Sequence, residues 1–398
     1  MDQLTLTGKT HKVWKVVVAT AFFFMLNWLC AEDFEPLRFK GLWVVRESMV
    51  DRAEIEAALN FAYESGFNHV FVQIRGRGDA YYNSLLIPRS SRIREQDFDP
   101  LAYAISRGHE LGLNIHAWVT TYLLWSARTP PEIKNHVYRM YPEWLEVDAE
   151  GNAQVDVDLS APRNSTFEGI FLSPVHPEVN GYLQAVFTEI LLKYDIDGLH
   201  LDYCRFPDLD YGYNAEGLGV FQSRYGFDPR EIHAFAAQQD AAHSSDEINR
   251  KLEIWSKYRQ QKISDLMTAM HAVITLSGKE ALLTAAVKPD ARVARYKYGQ
   301  DWTQWLRKGI IDYAFPMNYT PEMDTYIENI NIMTDSLSHQ LQKRVVMGVA
   351  TYNQDAQATA DKIRLARIYG FQGVCIFSYD AHKTNLTHFN PILKMMGP

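Results

Sequence analysis

Cysteine is scarce in this chain, and basic residues are outnumbered by acidic ones. The 398 residues include 3 cysteines, Cys30, Cys204 and Cys375, too few and too scattered for a disulfide framework or a zinc cluster. The 40 Lys and Arg residues stand against 48 Asp and Glu residues, so the net charge is −8. That charge argues against nucleic acid or another polyanion as a partner, because such partners require a basic surface.

Apolar material for a large core is abundant, since 47% of the residues are hydrophobic and 13% are aromatic. At about 150 residues per domain the length would fit two or three domains, but barrels routinely exceed that size as one domain. We interpret residues 36–398 as a single domain of this kind.

The first 31 residues have the composition of an export segment. Lys12 and Lys15 precede the apolar run VVVATAFFFMLNWLC, residues 16–30. This run has the length of a signal-peptide core and is shorter than the ~20 residues of a membrane span. Residues 1–31 are therefore predicted to be a signal peptide, a lipoprotein anchor on Cys30 or an uncleaved membrane anchor. The protein is expected to be periplasmic, secreted or membrane-anchored, and to contact a membrane only through this segment.

From residue 36 the chain alternates between strand and helix patterns, and we count eight strand–helix units. The early strands have a polar front and an apolar back, which fits barrel strands better than the continuous apolar runs of an open parallel sheet. The longest connections, residues 121–175 and 208–276, follow strands three and four. Loops of that length in a compact domain tend to be functional.

The stretch DIDGLHLDYCRFP, residues 195–207, is the centre of this pattern. As a strand it places Leu199 and Leu201 on one face and His200 and Asp202 on the other. An apolar back and a polar front that ends in a carboxylate suit a barrel whose active site lies at the carboxyl ends of its strands. The predicted fold is α/β, a (β/α)8 TIM barrel with long insertions after strands 3 and 4.

Six segments carry a family resemblance that covers residues 38–390 in order. They are GLWVVR, QIRGRGDAYYNS, DPLAYAISRGHELGLNIHAWV, SPVHPEVNGYL, DIDGLHLDYCRFP and DWTQWLRKGIIDYAFPMNY. Together they resemble the glycosyl hydrolase-like family 10, a bacterial group of exported TIM-barrel glycosidases. The resemblance implies a polysaccharide substrate from the bacterial cell wall, with peptidoglycan as the first candidate. The chain departs from the family pattern at Ser173-Pro174-Val175 and at Val119-Thr120. These differences bear on the identity of the substrate more than on the fold.

A more distant resemblance, in DGLHLD and PMNY, is to the family 18 chitinases. Those enzymes carry a glutamic acid two residues beyond the last aspartate, where this chain has Cys204. A thiol cannot replace a carboxylic acid as proton donor, so the chitinase mechanism does not transfer.

Glycoside hydrolysis ordinarily requires two carboxyl groups. Asp202 is the first candidate, and we expect His200 and Arg205 to keep it ionised, as suits a nucleophile or an electrostatic stabiliser. Glu47 is the candidate proton donor if it faces the barrel interior; the alternative is a salt bridge to Arg46. Asp380 and Glu322 are reserve candidates for the donor.

The polar front residues of the strands are the predicted sugar-binding groups. Trp118 and Tyr379 can stack on sugar rings, and the alternative for all of these residues is filling of the barrel. We expect five of the candidates, from five strands, to surround one cavity: Arg75, His116, Asp202, Asn318 and Tyr379. The full predicted substrate-binding set is Gln73, Arg75, His116, Trp118, His200, Arg205, Asn318, Tyr319, Tyr379 and Asp380.

The sequence thus predicts an exported glycoside hydrolase that acts on bacterial polysaccharide, with Asp202 and Glu47 as catalytic residues and without a cofactor or a metal. Two other classes stay open. One is a catalytically silent glycan-binding barrel, because only one of the two acids is well placed. The other is a metal-dependent polysaccharide deacetylase that uses His116, His200 and Asp202.

The export prediction is tested at the mature N terminus. Residues 1–31 are expected to be removed or lipid-anchored, because a charged start and an apolar run of this length are typical of export segments. Mass spectrometry of the protein from fractionated cells measures this. A full-length chain in the cytoplasmic fraction would contradict the prediction.

Overall fold

The structure is a computed structural model that describes residues 35–162, 167–232 and 245–397. The predicted export segment, residues 1–31, lies outside the described residues. Among the described helices, none combines the length and the apolar character needed to cross a membrane.

Eight parallel strands form the central sheet. They are β1 (Phe39–Val44), β2 (His69–Arg75), β3 (Asn114–Thr120), β4 (Gly198–Asp202), β5 (Leu282–Val287), β6 (Tyr313–Pro316), β7 (Val346–Ala350) and β8 (Gly373–Phe377). Their order in the sheet is β6-β5-β4-β3-β2-β1-β8-β7. Isolated bridges from Ala314 to Val345 and from Met317 to Gly348 join the outer strands β6 and β7 and close the barrel. The predicted (β/α)8 fold is therefore confirmed.

Helices surround the barrel and follow the strands in sequence. The α-helices are α1 (Arg52–Glu64), α2 (Pro100–Glu110), α3 (Val137–Met140), α4 (Val179–Lys193), α5 (Ala215–Tyr225), α6 (Ser245–Ser277), α7 (Ala291–Tyr298), α8 (Trp302–Arg307), α9 (Met323–Ser336), α10 (His339–Gln342), α11 (Ala356–Ile368), α12 (Tyr379–His382) and α13 (Asn390–Met396). Short 3₁₀ helices are Arg46–Ser48, Pro142–Trp144, Gln154–Asp156 and Leu386–Phe389.

Helix α1 illustrates how local sequence forms these elements. The Asp51 side chain accepts a hydrogen bond from the Glu54 backbone N–H at 2.9 Å and so caps the first turn. Ile55 and Leu59, one helical turn apart, are buried against the sheet. Gly66, with φ +71°, lies just past the end of the helix, in the left-handed conformation that glycine adopts without strain.

Both predicted insertions are present at the mouth of the barrel. The one after β3 contains a short antiparallel ribbon, Leu123–Trp125 paired with Ile170–Phe171. The one after β4 contains α5. Buried Glu146 joins them, since its Oε2 accepts hydrogen bonds from Ser173 Oγ at 3.0 Å and from the Gly212 backbone N–H at 3.1 Å. Burial raises the pKa of Glu146 to about 8.

Aromatic rings and two histidines fill the barrel interior below the mouth. The fully buried His116 ring stacks on Phe71 with centroids 4.4 Å apart. His200 Nε2 accepts a hydrogen bond from Trp43 Nε1 at 3.3 Å, and its Nδ1 therefore donates to Thr284 Oγ1 at 2.8 Å. Burial lowers the pKa of His200 to about 3, so the ring is neutral.

This packing predicts that Gly198→Ala destabilises the fold. A Cβ at Gly198 would lie 2.2 Å from His116 Nδ1 and 3.0 Å from the Leu282 carbonyl oxygen. The stacked His116 ring has no free space to move into, so we expect a loss of about 1–3 kcal/mol of unfolding free energy.

Gly181→Ala, in the first turn of α4, is the matched control. A Cβ there meets nothing within 4 Å, so this variant should be neutral or gain up to about 1 kcal/mol, since alanine favours the helix. Urea unfolding of both variants measures the difference. Equal stabilities would contradict the packing described above.

Candidate active site

A cavity of about 490 Å³ opens at the carboxyl ends of the strands. Side chains from both insertions, including Glu168 and Arg205, complete its walls. Each of the eight strands contributes a residue at or just beyond its last position, as the active-site face of a TIM barrel requires. These residues are Val45, Gly76, Thr120, Asp202, Lys288, Met317, Tyr352 and Phe377.

Asp202, at the end of β4, is only 6% exposed, although its carboxyl group faces the cavity. Its Oδ2 accepts a hydrogen bond from Trp118 Nε1 at 3.1 Å, and its Oδ1 accepts one from the Tyr203 backbone N–H at 2.7 Å. Burial nevertheless raises the pKa of Asp202 to about 6, and these hydrogen bonds and Arg205 only reduce that rise. The expectation that neighbouring cations lower the pKa of Asp202 is wrong, because desolvation outweighs them and His200 is neutral. At a pKa of about 6 the carboxyl is still mostly ionised at neutral pH.

The turn after Asp202 is conformationally strained. Tyr203 has φ +50°, the left-handed region, which costs roughly 1–2 kcal/mol for a residue with a Cβ. This conformation directs the Tyr203 backbone N–H at the Asp202 carboxylate. Strain of this kind persists where surrounding structure enforces it, and it is concentrated at functional sites.

Glu168 is a second carboxylate at the cavity, and sequence reasoning missed it. It precedes the second strand of the ribbon, and its Oε2 accepts a hydrogen bond from Arg205 Nη2 at 2.6 Å. The Arg205 guanidinium is buried, with its Cζ 4.7 Å from the ring centroid of Tyr203 and 5.1 Å from that of Tyr298. The ion pair therefore holds the long insertion against the end of β4.

Lys288 was also missed, although it directly follows β5 at the position where barrel strands present functional residues. Its side chain lines the cavity, and its Nζ lies 4.9 Å from the ring centroid of Tyr298. Burial, reinforced by the nearby Arg205, lowers the pKa of Lys288 to about 8. The signal was available in the sequence, since Lys288 is the charged last residue of the predicted strand ALLTAAVK, residues 281–288.

Aromatic rings form much of the cavity wall. Tyr319 and Phe377 stack with centroids 5.3 Å apart, and Trp118, Tyr203 and Tyr352 complete the surface. Polar groups are interspersed with these rings. Gln73 Oε1 accepts a hydrogen bond from Arg46 Nη1 at 2.9 Å, while its Nε2 donates to Thr120 Oγ1 at 3.3 Å. Rings beside amide and guanidinium groups are suited to the apolar faces and the hydroxyl groups of a sugar.

Five of the predicted site residues line this cavity, and their functional roles stay predictions. They are Gln73, Trp118, Asp202, Arg205 and Tyr319. The other seven lie away from it: Glu47, Arg75, His116, His200, Asn318, Tyr379 and Asp380. Of the five residues expected to surround one cavity, only Asp202 does so.

Arg75 is displaced by an irregularity in β2. The pairing with β3 shifts register between Gln73 and Arg75, so the alternation that should turn Arg75 inward is broken. Its fully buried side chain instead donates hydrogen bonds to the backbone carbonyls of Thr120 and Thr121.

Three other residues miss the cavity because their strands end earlier than predicted. Strand β8 ends at Phe377, and Tyr379 begins α12, where its ring packs on Phe61 of α1. Asp380 accepts hydrogen bonds from the Val45 backbone N–H and from Ser48 Oγ, both at 2.6 Å. Strand β6 ends at Pro316, and Asn318 Nδ2 donates to the Tyr326 carbonyl of α9.

Glu47 is displaced for the same reason, since β1 ends at Val44 and a 3₁₀ turn follows. The carboxylate forms ion pairs with Arg92 at 2.8 Å and with Arg46 at 3.4 Å. This is the salt-bridge alternative, and it places Glu47 outside the lining of the cavity.

The two histidines serve as interior packing. His116 Nε2 lies 2.9 Å from His69 Nδ1, and both ring nitrogens of His200 are engaged by Trp43 and Thr284. Among the described residues, no group of three His, Cys, Asp or Glu side chains is arranged to hold a metal ion. The ligand set that a deacetylase would need from His116, His200 and Asp202 is therefore not assembled.

Comparisons with known proteins concern the family and the fold. A model of the family described as Glycosyl hydrolase-like 10 matches residues 37–363. The chain is 25% identical over 328 residues to glycosyl hydrolase YngK of Bacillus subtilis (strain 168), covering 79% of this chain and 57% of the relative. It is 23% identical over 306 residues to glycosyl hydrolase DigH of Escherichia coli (strain K12), covering 70% of this chain and 59% of the relative. The chain therefore spans less than two thirds of the length of these relatives.

Solved structures show the same fold. The glycoside hydrolase domain of PgaB (BpsB) from Bordetella bronchiseptica superposes with a TM-score of 0.67 at 14% identity, covering 90% of this chain and 99% of that domain. The catalytic domain of the β-amylase from Paenibacillus polymyxa gives a TM-score of 0.56 at 12% identity, covering 91% of this chain and 100% of that domain. At these identities the likeness concerns the fold alone.

The burial of Asp202 predicts a pH-dependent difference in stability between the wild type and Asp202→Asn. A carboxyl whose folded-state pKa is raised contributes stability below its unfolded pKa, and that contribution is lost as the pH rises through the folded pKa, here about 6. From about pH 4 to about pH 8, the wild type should lose about 3 kcal/mol relative to the variant.

Chemical unfolding of both proteins across this pH range measures the difference in their unfolding free energies. Glu64→Gln, which changes an exposed carboxylate on α1, is the control and should show no comparable trend. A wild type that gains stability over Asp202→Asn as the pH rises would show that Asp202 is stabilised as an anion.

Proposed function

Because this chain belongs to the Glycosyl hydrolase-like 10 family, we propose that it cleaves a bacterial polysaccharide in the cavity around Asp202. The membership confirms the family resemblance carried by the sequence, and it supports the glycoside hydrolase activity proposed here. The observation that supports the proposed site is the pair of carboxyl groups, Asp202 and Glu168, in one aromatic-walled cavity at the mouth of the barrel.

Asp202 is proposed as the proton donor. A carboxyl with a pKa raised to about 6 keeps a proton under mildly acidic conditions and releases it to a leaving group as the bond breaks. In this scheme the glycosidic C–O bond breaks and the Asp202 proton goes to the departing oxygen. Water then supplies the new hydroxyl at the anomeric carbon, and its remaining proton restores the protonated Asp202. The sequence favoured a nucleophile or a stabiliser at this position; the burial of the carboxyl favours the acid.

Glu168 is proposed as the second carboxylate. Its ion pair with Arg205 fixes it at the cavity wall, where its negative charge stabilises the positive charge that develops at the anomeric carbon. This assignment replaces Glu47, which lies outside the cavity lining. It also weakens the case for a silent glycan-binding barrel, since a second carboxylate lines the same cavity as Asp202.

The proposed substrate is a cell-wall glycan, with peptidoglycan strands as the first to test, as the family resemblance implies. The rings of Trp118 and Tyr319 offer stacking surfaces for sugars. Gln73, Arg46 and Lys288 offer donors for acetamido, hydroxyl and carboxylate groups. A metal-dependent deacetylase finds no support in the described residues, because its ligand set is not assembled.

Loss of either carboxyl is expected to abolish most of the turnover. Asp202→Asn keeps the shape but removes the transferable proton, so kcat should fall at least ~10³-fold. Glu168→Gln removes the stabilising charge and should lower kcat by at least ~10²-fold. The measurement is reducing-end release from purified peptidoglycan and a panel of other glycans, with melting temperatures recorded for each protein.

Glu64→Gln is the control, because that carboxylate is exposed on α1 and does not line the cavity. It should keep near-normal turnover. Wild-type turnover in Asp202→Asn, or a lowered melting temperature with normal turnover in the folded fraction, would assign Asp202 a structural role instead.

A further inference from the structure

The cations that line the proposed active site differ in their partners. They are Arg46, Arg205 and Lys288. Arg205 is paired with Glu168 at 2.6 Å, and Arg46 lies 3.4 Å from a carboxylate oxygen of Glu47. The Lys288 ammonium forms no ion pair and donates no hydrogen bond within the described residues, although its Nζ lies over the ring of a tyrosine. Lys288 is therefore the cation of the cavity that has no carboxylate in direct contact.

A structural lysine elsewhere in the chain shows the contrast. Lys362 on α11 is fully buried, and its ammonium donates hydrogen bonds to the backbone carbonyls of Thr320 and Pro321 and to Gln354 Oε1. Lys288 has lost enough hydration for its pKa to be lowered to about 8, yet the protein supplies no such acceptors. A desolvated cation without an acceptor is unfavourable by itself, and functional sites are where such groups are retained.

The carboxylates of the cavity do not fill this place. Glu168 accepts its hydrogen bond from Arg205, and Asp202 accepts from an indole N–H and a backbone N–H. Burial and Arg205 lower the pKa of Lys288, and the negative charges of Glu168 and Asp202 oppose this with a smaller effect. Two negative charges in the same cavity repel a doubly charged phosphate more than a single carboxylate. A singly charged group is therefore the better match for this one ammonium.

Lys288 is also close to the proposed point of cleavage. Strands β4 and β5 are adjacent in the sheet, with Leu201 opposite Ala285. Asp202 ends β4, Lys288 follows β5, and both side chains line one cavity. Because adjacent strands lie about 4.8 Å apart, the sugar at Asp202 or its neighbour along the polymer is within reach of the ammonium.

We propose that Lys288 determines substrate specificity by binding a carboxylate on the sugar at the cleavage point or on the adjoining sugar. The inference rests on the proposed function for the reaction, and it names the class of substrate, which is a polysaccharide whose units carry single negative charges. A charge-assisted hydrogen bond from the ammonium adds affinity that an uncharged glycan does not receive.

Removing the two partners of this contact one at a time tests the proposal. Lys288→Met removes the charge and keeps an unbranched side chain, and it is made in the full-length Asp202→Asn protein so that hydrolysis does not remove the ligand. The ligands are soluble peptidoglycan strands, which carry carboxylates, and the same strands after carbodiimide activation and borohydride reduction of those carboxylates to alcohols. Calorimetry is expected to show a Kd at least ~10-fold higher for the native strands in Lys288→Met, and no change for the reduced strands.

Lys343→Met is the matched control, since Lys343 is exposed and lines no part of the cavity. It should leave both Kd values unchanged, while Lys288→Arg, which keeps the charge, should restore part of the affinity for native strands only. An equal loss for native and reduced strands in Lys288→Met would assign Lys288 a structural role and overturn the proposal. Equal Kd values of the two ligands for the Asp202→Asn parent would also overturn it, whether or not Lys288→Met folds.

The pH dependence of turnover gives a second readout. The free Lys288 ammonium loses its proton as the pH rises through about 8. The ratio of kcat/KM for native over reduced strands should therefore fall across that pH in the wild type. Loss of the Asp202 proton affects both substrates and cancels in the ratio. The titratable groups that face Lys288 are Asp202 and Arg205 after β4, Glu168 of the β3 insertion, and Lys297 and Tyr298 of α7.

These measurements separate the inference from the proposed function. A ratio that stays constant with pH, in a protein that cleaves both substrates, would overturn the role of Lys288 and leave the hydrolase activity standing. If the wild type cleaves neither substrate, the proposed function fails, and the calorimetry still decides whether Lys288 selects a carboxylate.

Discussion

The ion pair between the buried Arg205 and the partly exposed Glu168 determines how the mouth of the barrel is built. Arg205 follows β4, Glu168 precedes the ribbon of the other insertion, and Tyr298 of α7 packs on the guanidinium. Three separate parts of the chain are therefore in contact at the Arg205 guanidinium. Leaving that charge buried without its partner would cost more than the pair contributes, so the insertions are held in one arrangement. The cavity and its second carboxylate both depend on this arrangement.

Burial also adjusts the charges inside the cavity. The same loss of hydration that raises the pKa of Asp202 to about 6 lowers the pKa of Lys288 to about 8. Both shifts move the pKa values toward neutral pH. The aromatic rings that exclude water are thus part of the proposed chemistry, because they set the protonation of the groups that would act on a sugar.

The strands were predictable because their alternation repeats along the chain, and Asp202 could be found at the end of one of them. Side chains beyond the strand ends were not predictable in this way. A register shift turns Arg75 outward, and β8 ends before Tyr379, so the period-2 pattern no longer applies. Glu168 lies in an irregular insertion, and only the tertiary contact with Arg205 brings it to the cavity. Such contacts leave no periodic trace in a sequence.

The rings that fill the barrel below the mouth, Phe71 and Trp43 among them, have a consequence for how a polymer is handled. The stacked interior closes the barrel axis, so a glycan strand cannot thread through the molecule. Substrate enters and product leaves through the same opening. Under the proposed function, a long strand would lie across the top of the barrel, and both products of a cleavage would depart from that one face.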